Sequence, residues 1–320
     1  EAIESAIQMA FLHTGRSEVI GLRQSYHGRS FMASNLTAVS SWRPLATSFP
    51  GIKHVQTPYP YRCPYKQPCD ASCAEKFAND IEDVIRTTTN GKPAAFIAES
   101  VMGVGGYIVP PPGYLKRAAE IIRSYGGLFI SDEVQSGFGR SGTHWFGIEH
   151  SEVEPDIMAM AKGIANGAPV GAMITSPEIA ESWQAKTIST FGGNPISMAA
   201  AAATLEVMVD EDVPQRATVQ GEQLLTGLLQ LKDQFEWIGD VRGRGLMLGL
   251  ELVEDREEKK PFPAKAQALL ESCKNQGLLV GIGGLYSHVV RLGPSLLVTA
   301  SEIEEGLKRF GRACHELEER

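Results

Sequence analysis

Two short apolar runs in the middle of the chain each end in a charged residue. The run 128–131 leads into Asp132, and the run 157–161 leads into Lys162. Removing a carboxylate or an amine from water is costly, so buried strands rarely end in such groups without a partner or a ligand. The two runs therefore constrain the fold, because they predict two strands whose charged ends meet at a ligand site.

Apolar runs of strand length alternate with helical patterns over the first half of the chain. An amphipathic helical pattern over 114–125 ends at Gly126 and precedes one of these runs. This alternation indicates an α/β fold with a mainly parallel sheet that is covered on both faces. The strand-like runs lie at 18–22, 94–99, 128–132 and 156–162.

Three of these runs end in a charged residue. They end in Glu99, Asp132 and Lys162. Ligands bind beyond the carboxyl ends of the strands in open sheets of this kind, so we expect one site there. The segment 50–75 is rich in proline and turns, and we expect it to leave the core.

The chain is long enough for two domains. An alanine-rich helical pattern ends at residue 210, and a mixture of shorter helical and strand patterns follows it. We place a large ligand-binding domain at 1–210 and a smaller α+β domain at 211–320.

Composition excludes two classes of partner. The formal net charge of −8 argues against nucleic acid, which requires a concentrated excess of Lys and Arg. Apolar runs such as 198–205 and 246–252 are far shorter than the roughly 20 residues of a membrane-spanning helix. No signal-peptide pattern is present. We expect a cytoplasmic protein without a membrane partner, and a mitochondrial location stays open.

Three of the five cysteines cluster at Cys63, Cys69 and Cys73. Their spacings of five and three intervening residues do not form the paired CxxC pattern of zinc sites. We interpret them as reduced thiols in a surface loop with no metal site, and a zinc site is the alternative.

The chain opens with helical periodicity, because Ile3, Ala6, Ile7 and Ala10 fall on one face, yet no capping residue precedes it. We expect that the chain begins inside a helix and that an upstream N-terminal segment is missing.

Lys162 and Asp132 fit the needs of one cofactor. A desolvated lysine amine is nucleophilic at neutral pH, as bonding to an aldehyde requires. A carboxylate beside a pyridine nitrogen keeps that ring protonated and electron-withdrawing. Pyridoxal phosphate needs both groups. The alternatives are a lysine that extends to solvent and an aspartate that caps a turn.

Several motifs, in order along the chain, resemble those of class III pyridoxal-phosphate-dependent aminotransferases. Within this family, the chain most resembles alanine–glyoxylate aminotransferase type 2 and related ω-amino-acid aminotransferases. The resemblance implies the fold type I of aspartate aminotransferase, with a mainly parallel, seven-stranded type of sheet and a smaller C-terminal α+β domain. It rests on the segments 26–28, 130–142, 155–157, 161–163, 190–195, 239–247 and 291–296.

The resemblance also implies a role for each site residue. Lys162 would form the Schiff base with the cofactor and shuttle a proton, and Asp132 would hold the ring nitrogen. Tyr26 and Val134 would pack on opposite ring faces. Gln135 would bind the phenolic oxygen. The remaining cofactor-binding residues would be His27, which accompanies Tyr26 and for which a structural role is the alternative, and Thr190. Thr190 would reach the phosphate of the neighbouring subunit in a homodimer with shared sites.

Arg291 resembles the arginine that binds the substrate carboxylate; a salt bridge with a local acid is the alternative. Related ornithine and 4-aminobutyrate enzymes mask that arginine with a glutamate, and Val104 stands at the corresponding position here. The absence of this glutamate favours substrates whose carboxylate stays bound, such as alanine, glyoxylate and pyruvate.

The resemblance implies transamination of an amino acid with a small keto acid by a ping-pong mechanism. Two alternatives keep the cofactor: transfer from 4-aminobutyrate or another ω-amine, and amino-acid racemisation. A scaffold protein without cofactor is disfavoured, because it has little use for both Asp132 and Lys162.

Overall fold

The computed structural model describes residues 1–43, 48–66 and 68–318. The chain forms two compact units. The first contains residues 1–100, 110–138 and 146–210, and the second contains residues 101–109, 139–145 and 211–320. Two short segments within the range expected for the large domain thus belong to the second unit. Tyr107, from one of them, packs there against Met247.

A mainly parallel sheet forms the centre of the first unit. Its order is β2-β1-β3-β4-β5-β6, with β6 antiparallel to β5 and every other pair parallel. Each residue of β1, β3, β4 and β5 is buried, as expected for strands covered on both faces. The strands are β1 (Val19–Leu22), β2 (Ile52–Val55), β3 (Ala95–Glu99), β4 (Leu128–Asp132), β5 (Ile157–Met160) and β6 (Ala172–Thr175).

The described part of the chain contributes six strands to the predicted seven-stranded type of sheet. One detail of the prediction was wrong. The segment 50–75 does not simply leave the core, because β2 within it pairs with β1. The turn-forming prolines flank this strand and are absent from it, so its four residues can join the ladder.

The helices of the first unit pack around this sheet. Helix α1 contacts β5 and β6, and α4 contacts β3 and β4. Gly15 ends α1 in a left-handed conformation with a φ of 67°, which places its N–H on the carbonyl of Phe11. The helices are α1 (Ala2–Thr14), α2 (Phe31–Leu36), α3 (Ala71–Thr88), α4 (Tyr114–Ser124), α5 (Pro177–Ala180) and α6 (Pro195–Asp210).

An antiparallel four-stranded sheet, in the order β7-β8-β10-β9, forms the second unit together with three helices. Leucine and other apolar residues of α7, α8, α9, β8 and β10 form its core. Leu279 is exposed, and Gly281 begins the pairing with β10. The elements are α7 (Val213–Gln234), β7 (Ile238–Arg244), β8 (Met247–Leu252), α8 (Pro263–Asn275), β9 (Gly281–Gly283), β10 (Val289–Leu292) and α9 (Ala300–Glu318).

No helix in the described ranges is both long enough and apolar enough to span a membrane.

Candidate active site

A cavity of about 530 Å³ opens at the carboxyl ends of the strands of the first unit. Six of the eight predicted site residues line it, and Thr190 and Arg291 do not. Glu99 and the first residues of α1 also contribute to the wall. The six predicted residues are Tyr26, His27, Asp132, Val134, Gln135 and Lys162.

Asp132 ends β4 and is buried. Its Oδ2 lies 2.7 Å from Nδ1 of His27, and its Oδ1 accepts a hydrogen bond of 3.0 Å from the backbone N–H of Val134. His27 in turn donates its backbone N–H to Oγ1 of Thr37 at 3.0 Å. The carboxylate is therefore fixed from both sides before any ligand binds.

The His27–Asp132 pair changes the ionisation of the imidazole. Burial alone would lower the pKa of His27, but the hydrogen bond and charge of Asp132, together with the charge of Glu99, outweigh burial and raise that pKa. The protonated form of the imidazole is favoured because it offsets part of the negative charge of Asp132 and Glu99. Nε2 of His27 has no hydrogen-bond partner in the described part of the chain.

Glu99 lies beside Asp132, because their strands pair in register at these two residues. Its Oε1 accepts a 2.8 Å hydrogen bond from the backbone N–H of Tyr26. The Tyr26 ring makes an edge contact with Trp42, with ring centroids 5.4 Å apart. Glu99 thus fixes the loop that carries Tyr26 and His27. Sequence reasoning missed Trp42, which no motif distinguishes.

Lys162 does not end its strand, because β5 stops at Met160. Lys162 adopts a left-handed conformation with a φ of 47°, which is unusual for a residue with a side chain. The side chain of Lys162 is exposed to solvent in the single chain. The predicted removal of its amine from water is therefore not found within one chain. The turn places the residue at the wall of an open cavity rather than inside the sheet.

A second buried acid, Glu133, stabilises the loops behind the cavity. The hydroxyls of Ser100 and Ser136 each donate to it at 2.7 Å. The hydroxyl of Ser131 and the backbone N–H groups of Gly147 and Ile148 also donate to it. The acid beside Asp132 therefore braces loops and does not line the cavity.

The first turn of α1 offers a site for an anion. Glu1, Ala2 and Ile3 line the cavity, and the first backbone N–H groups of a helix have no partner within it. Gly171 lies close to this turn, because a Cβ there would be 3.3 Å from Cβ of Ala2. These residues, a nucleophilic amine and a supported carboxylate fit the phosphate, aldehyde and ring nitrogen of pyridoxal phosphate.

The two remaining predicted residues lie elsewhere. Thr190 is exposed in the segment between α5 and α6. Arg291 lies on β10 of the second unit, where its Nη1 and Nη2 donate to the carbonyls of Gly103 and Ile282, each at 3.1 Å. Its guanidinium lies over the ring of Tyr107, 5.5 Å from the centroid.

No acid among the described residues forms a salt bridge with Arg291. Val104, which stands where relatives have the masking glutamate, accepts a backbone hydrogen bond from Gly284. The alternative of a local salt bridge is therefore absent from the described ranges, and Nε of Arg291 has no partner within them.

Residues 1–314 match the model of the family described as aminotransferase class-III. The chain belongs to this family. Class-III aminotransferases are pyridoxal-phosphate-dependent enzymes, which confirms the predicted family and cofactor class.

Two curated relatives of this class-III chain are named alanine–glyoxylate aminotransferases. A mitochondrial homologue from Arabidopsis thaliana is 42% identical over 305 residues, which cover 95% of this chain and 62% of that protein. The mitochondrial enzyme from Homo sapiens is 37% identical over 341 residues, covering 100% of this chain and 66% of its own length. The chain thus spans less than two thirds of these relatives.

The fold of the class-III chain is that of solved transaminases. An amine transaminase from an uncultivated Pseudomonas species, solved in its PLP-bound form, matches with a TM-score of 0.93 and 31% identity. The match covers 98% of this chain and 74% of that chain. The predicted α/β architecture of fold type I is confirmed.

Proposed function

We propose that the whole protein is an aminotransferase that moves an amino group from an amino acid to a small keto acid, with alanine, glyoxylate and pyruvate as the substrate class. One observation carries the proposal. Lys162 lines the same cavity as Asp132, whose carboxylate is held by His27 at 2.7 Å. The names of the curated relatives, alanine–glyoxylate aminotransferases, support the substrate class.

The residues that line the cavity have different roles in the proposed reaction. The cofactor, when bound, supplies an aldehyde carbon and an electron-withdrawing ring. Nζ of Lys162 would hold the cofactor at that carbon, and the free amine would move the proton of the substrate Cα. Asp132 would hold a proton at the ring nitrogen, and His27 fixes the Asp132 carboxylate. Donor and acceptor would use the cavity in turn, which is a ping-pong cycle.

Other residues bind and orient the cofactor. Tyr26 and Val134 are both half-buried at the cavity wall, as residues that contact a ring from two sides need to be. Gln135 offers an amide donor for the phenolic oxygen. The N-terminal turn of α1 binds the phosphate through its backbone N–H groups.

The substrate carboxylate binds Arg291. A guanidinium suits this task because its donors form a planar fork that matches a carboxylate. The two backbone carbonyls that accept from Arg291 orient it without neutralising its charge. Val104 places no acid beside it, so the arginine stays available to both the amino acid and the keto acid.

The protein is a homodimer in this proposal, and Thr190 serves the phosphate site of the partner subunit. The support is the exposed apolar surface around Thr190. Ile188, Phe191 and Ile196 have relative exposures of 92%, 81% and 82% in the single chain. Soluble monomers rarely leave such a concentration of large apolar side chains in water.

A single-turnover experiment tests the reaction type. Full-length enzyme loaded with pyridoxal phosphate is mixed with L-alanine and no keto acid, and products are measured by chromatography. An aminotransferase releases about one pyruvate per site and stops until glyoxylate is added, which then yields glycine. Continued formation of D-alanine without pyruvate would overturn the proposal in favour of a racemase.

The role of Arg291 has a separate test. Charge-assisted hydrogen bonds are worth about 1.5–3 kcal/mol, so Arg291→Gln should raise KM for alanine and pyruvate about 10- to 100-fold. An amine donor without a carboxylate should show an unchanged KM. Arg312→Gln, at an exposed arginine of α9, is the control. Equal losses with both donors would contradict carboxylate binding by Arg291.

The cytoplasmic location stays a prediction. Both curated relatives described above carry the word mitochondrial in their names. Fractionation of cells that express the full-length protein distinguishes the two compartments.

A further inference from the structure

Three thiols converge in the first unit, away from the cavity. We name Cys63, Cys69 and Cys73 the thiol triad. Their Sγ atoms all lie within 4.8 Å of one another. Cys63 and Cys73 are buried and Cys69 is partly buried, whereas the described loop residues 64–66 and 68 are exposed. The triad shares no residue with the lining of the cavity.

Local structure explains why the three thiols lie close together although five and three residues separate them in the sequence. Cys63 ends a short 3₁₀ turn, Pro60–Arg62. Cys69 directly precedes Asp70, the N-cap of α3, and Cys73 lies in the first turn of that helix. The side chain of Asp70 accepts from the backbone N–H of Ser72, which fixes the start of the helix. The triad thus joins the turn to the helix N-terminus.

Contacts around the triad hold the turn and the start of the helix together. The backbone N–H groups of Tyr65 and Lys66 both donate to Sγ of Cys63. The ammonium of Lys66 pairs with Asp70, the N-cap of α3.

The separations between the three Sγ atoms favour a bound metal ion over a disulfide. Zinc–sulfur bonds of about 2.3 Å in a tetrahedral site place the sulfurs about 3.8 Å apart. Three sulfurs within 4.8 Å reach this spacing by small side-chain shifts. A disulfide brings two sulfurs to about 2.05 Å and leaves the third thiol unused. An occupant that uses all three is a thiophilic cation.

We propose that Cys63, Cys69 and Cys73 bind one Zn²⁺ ion as thiolates and so fasten the N-terminus of α3 to the preceding turn. Within the described ranges no fourth His, Cys, Asp or Glu joins the group. Water takes the fourth position. The role is structural, because the triad is separate from the residues of the cavity.

Metal content tests this proposal without reference to activity. Full-length protein is loaded with pyridoxal phosphate, dialysed against metal-free buffer and analysed for zinc by mass spectrometry. We expect about one zinc per chain. Replacement by Co²⁺ should add the absorption of thiolate-to-cobalt charge transfer. No retained zinc together with no such band would overturn the proposal, as would mass-spectrometric detection of a disulfide within the triad.

Variants locate the metal. Cys69→Ser and Cys73→Ser should each lose the zinc, whereas Cys273→Ser, at a buried cysteine of the second unit, should keep it. Circular dichroism checks that each variant folds. Cys69 is partly exposed, so its substitution keeps the test valid if Cys73→Ser does not fold. Equal zinc in all three variants would contradict the assignment.

Discussion

At the scale of single residues, the charge of the site depends on the His27–Asp132 pair and not on Asp132 alone. The His27 imidazole contacts Asp132, and the nearby charge of Glu99 also raises the His27 pKa, so one imidazole faces two buried carboxylates at adjacent strand ends. Sequence reasoning found Glu99 and Asp132 from their places at strand ends, and His27 from the resemblance. The motif left open whether His27 binds the cofactor or supports it, and the 2.7 Å contact favours support.

The raised pKa of His27 predicts a pH-dependent stability. A histidine that binds its proton more tightly in the folded state contributes stability fully below its unfolded pKa near 6.5. That contribution is lost as the pH rises through the folded pKa. The free energy of unfolding of wild type should therefore exceed that of His27→Gln by about 1.5–3 kcal/mol at pH 6, and by less at pH 9.

Urea denaturation of the cofactor-free protein at several pH values measures this difference. His144→Gln serves as the control, because His144 is an exposed histidine outside the cavity lining. A difference between wild type and His27→Gln that grows with pH would contradict the assigned pair.

Lys162 shows the limit of reasoning from a single strand. Its place after an apolar run predicted that it lines the cavity, but the strand β5 stops two residues earlier and the side chain is exposed. Sequence patterns indicate which residues form a strand. The exposure of a residue that follows the strand depends on the turn in which that residue lies. Here that turn is left-handed at Lys162 itself.

At the scale of elements, buried strands were the most predictable part of the fold. β3 and β4 match their predicted ranges to within one residue, because their apolar runs are continuous. β2 and β6 were missed. Both are edge strands with half-buried residues, so tertiary pairing rather than local pattern decides their conformation.

The Glu133 carboxylate accepts hydrogen bonds from Ser100, Ser131, Ser136 and the backbone N–H groups of residues 147 and 148. We call this set of contacts the Glu133 clamp, and it connects several elements through one side chain. Glu133→Gln keeps one acceptor oxygen but turns an amide N–H₂ toward donors such as Ser136 and the N–H of Gly147. Burying mismatched donors costs about 1–3 kcal/mol, so the urea midpoint should fall accordingly.

The matched control is Glu120→Gln on α4, where an exposed acid pairs with Arg117 and a change of about 0.5 kcal/mol or less is expected. Equal effects of the two substitutions would show that the clamp contributes nothing beyond a surface ion pair.

At the scale of the whole molecule, the unpaired apolar surface predicts assembly. Helix α6 carries apolar residues on its exposed as well as its buried side, with Val209 63% and Ile196 82% exposed. A helix that is apolar all round is normally buried. Sequence alone implied a dimer only through the resemblance, since helical periodicity cannot tell a core face from an interface.

Sedimentation of the full-length protein tests the assembly. Wild type should sediment as a dimer and Ile196→Glu as a monomer, because an interface does not accept an unpaired charge. Leu279→Glu, at a residue 87% exposed in the second unit, should remain dimeric. A monomeric wild type, or equal dissociation of both variants, would contradict the proposed interface.

The central claim is that Lys162 is the residue that bonds covalently to the cofactor. Full-length enzyme loaded with pyridoxal phosphate is reduced with borohydride, digested and analysed by mass spectrometry. The account predicts the added cofactor mass on the peptide that contains Lys162, with no label after Lys162→Ala. Label on another lysine such as Lys186, or no label on wild type, would contradict it.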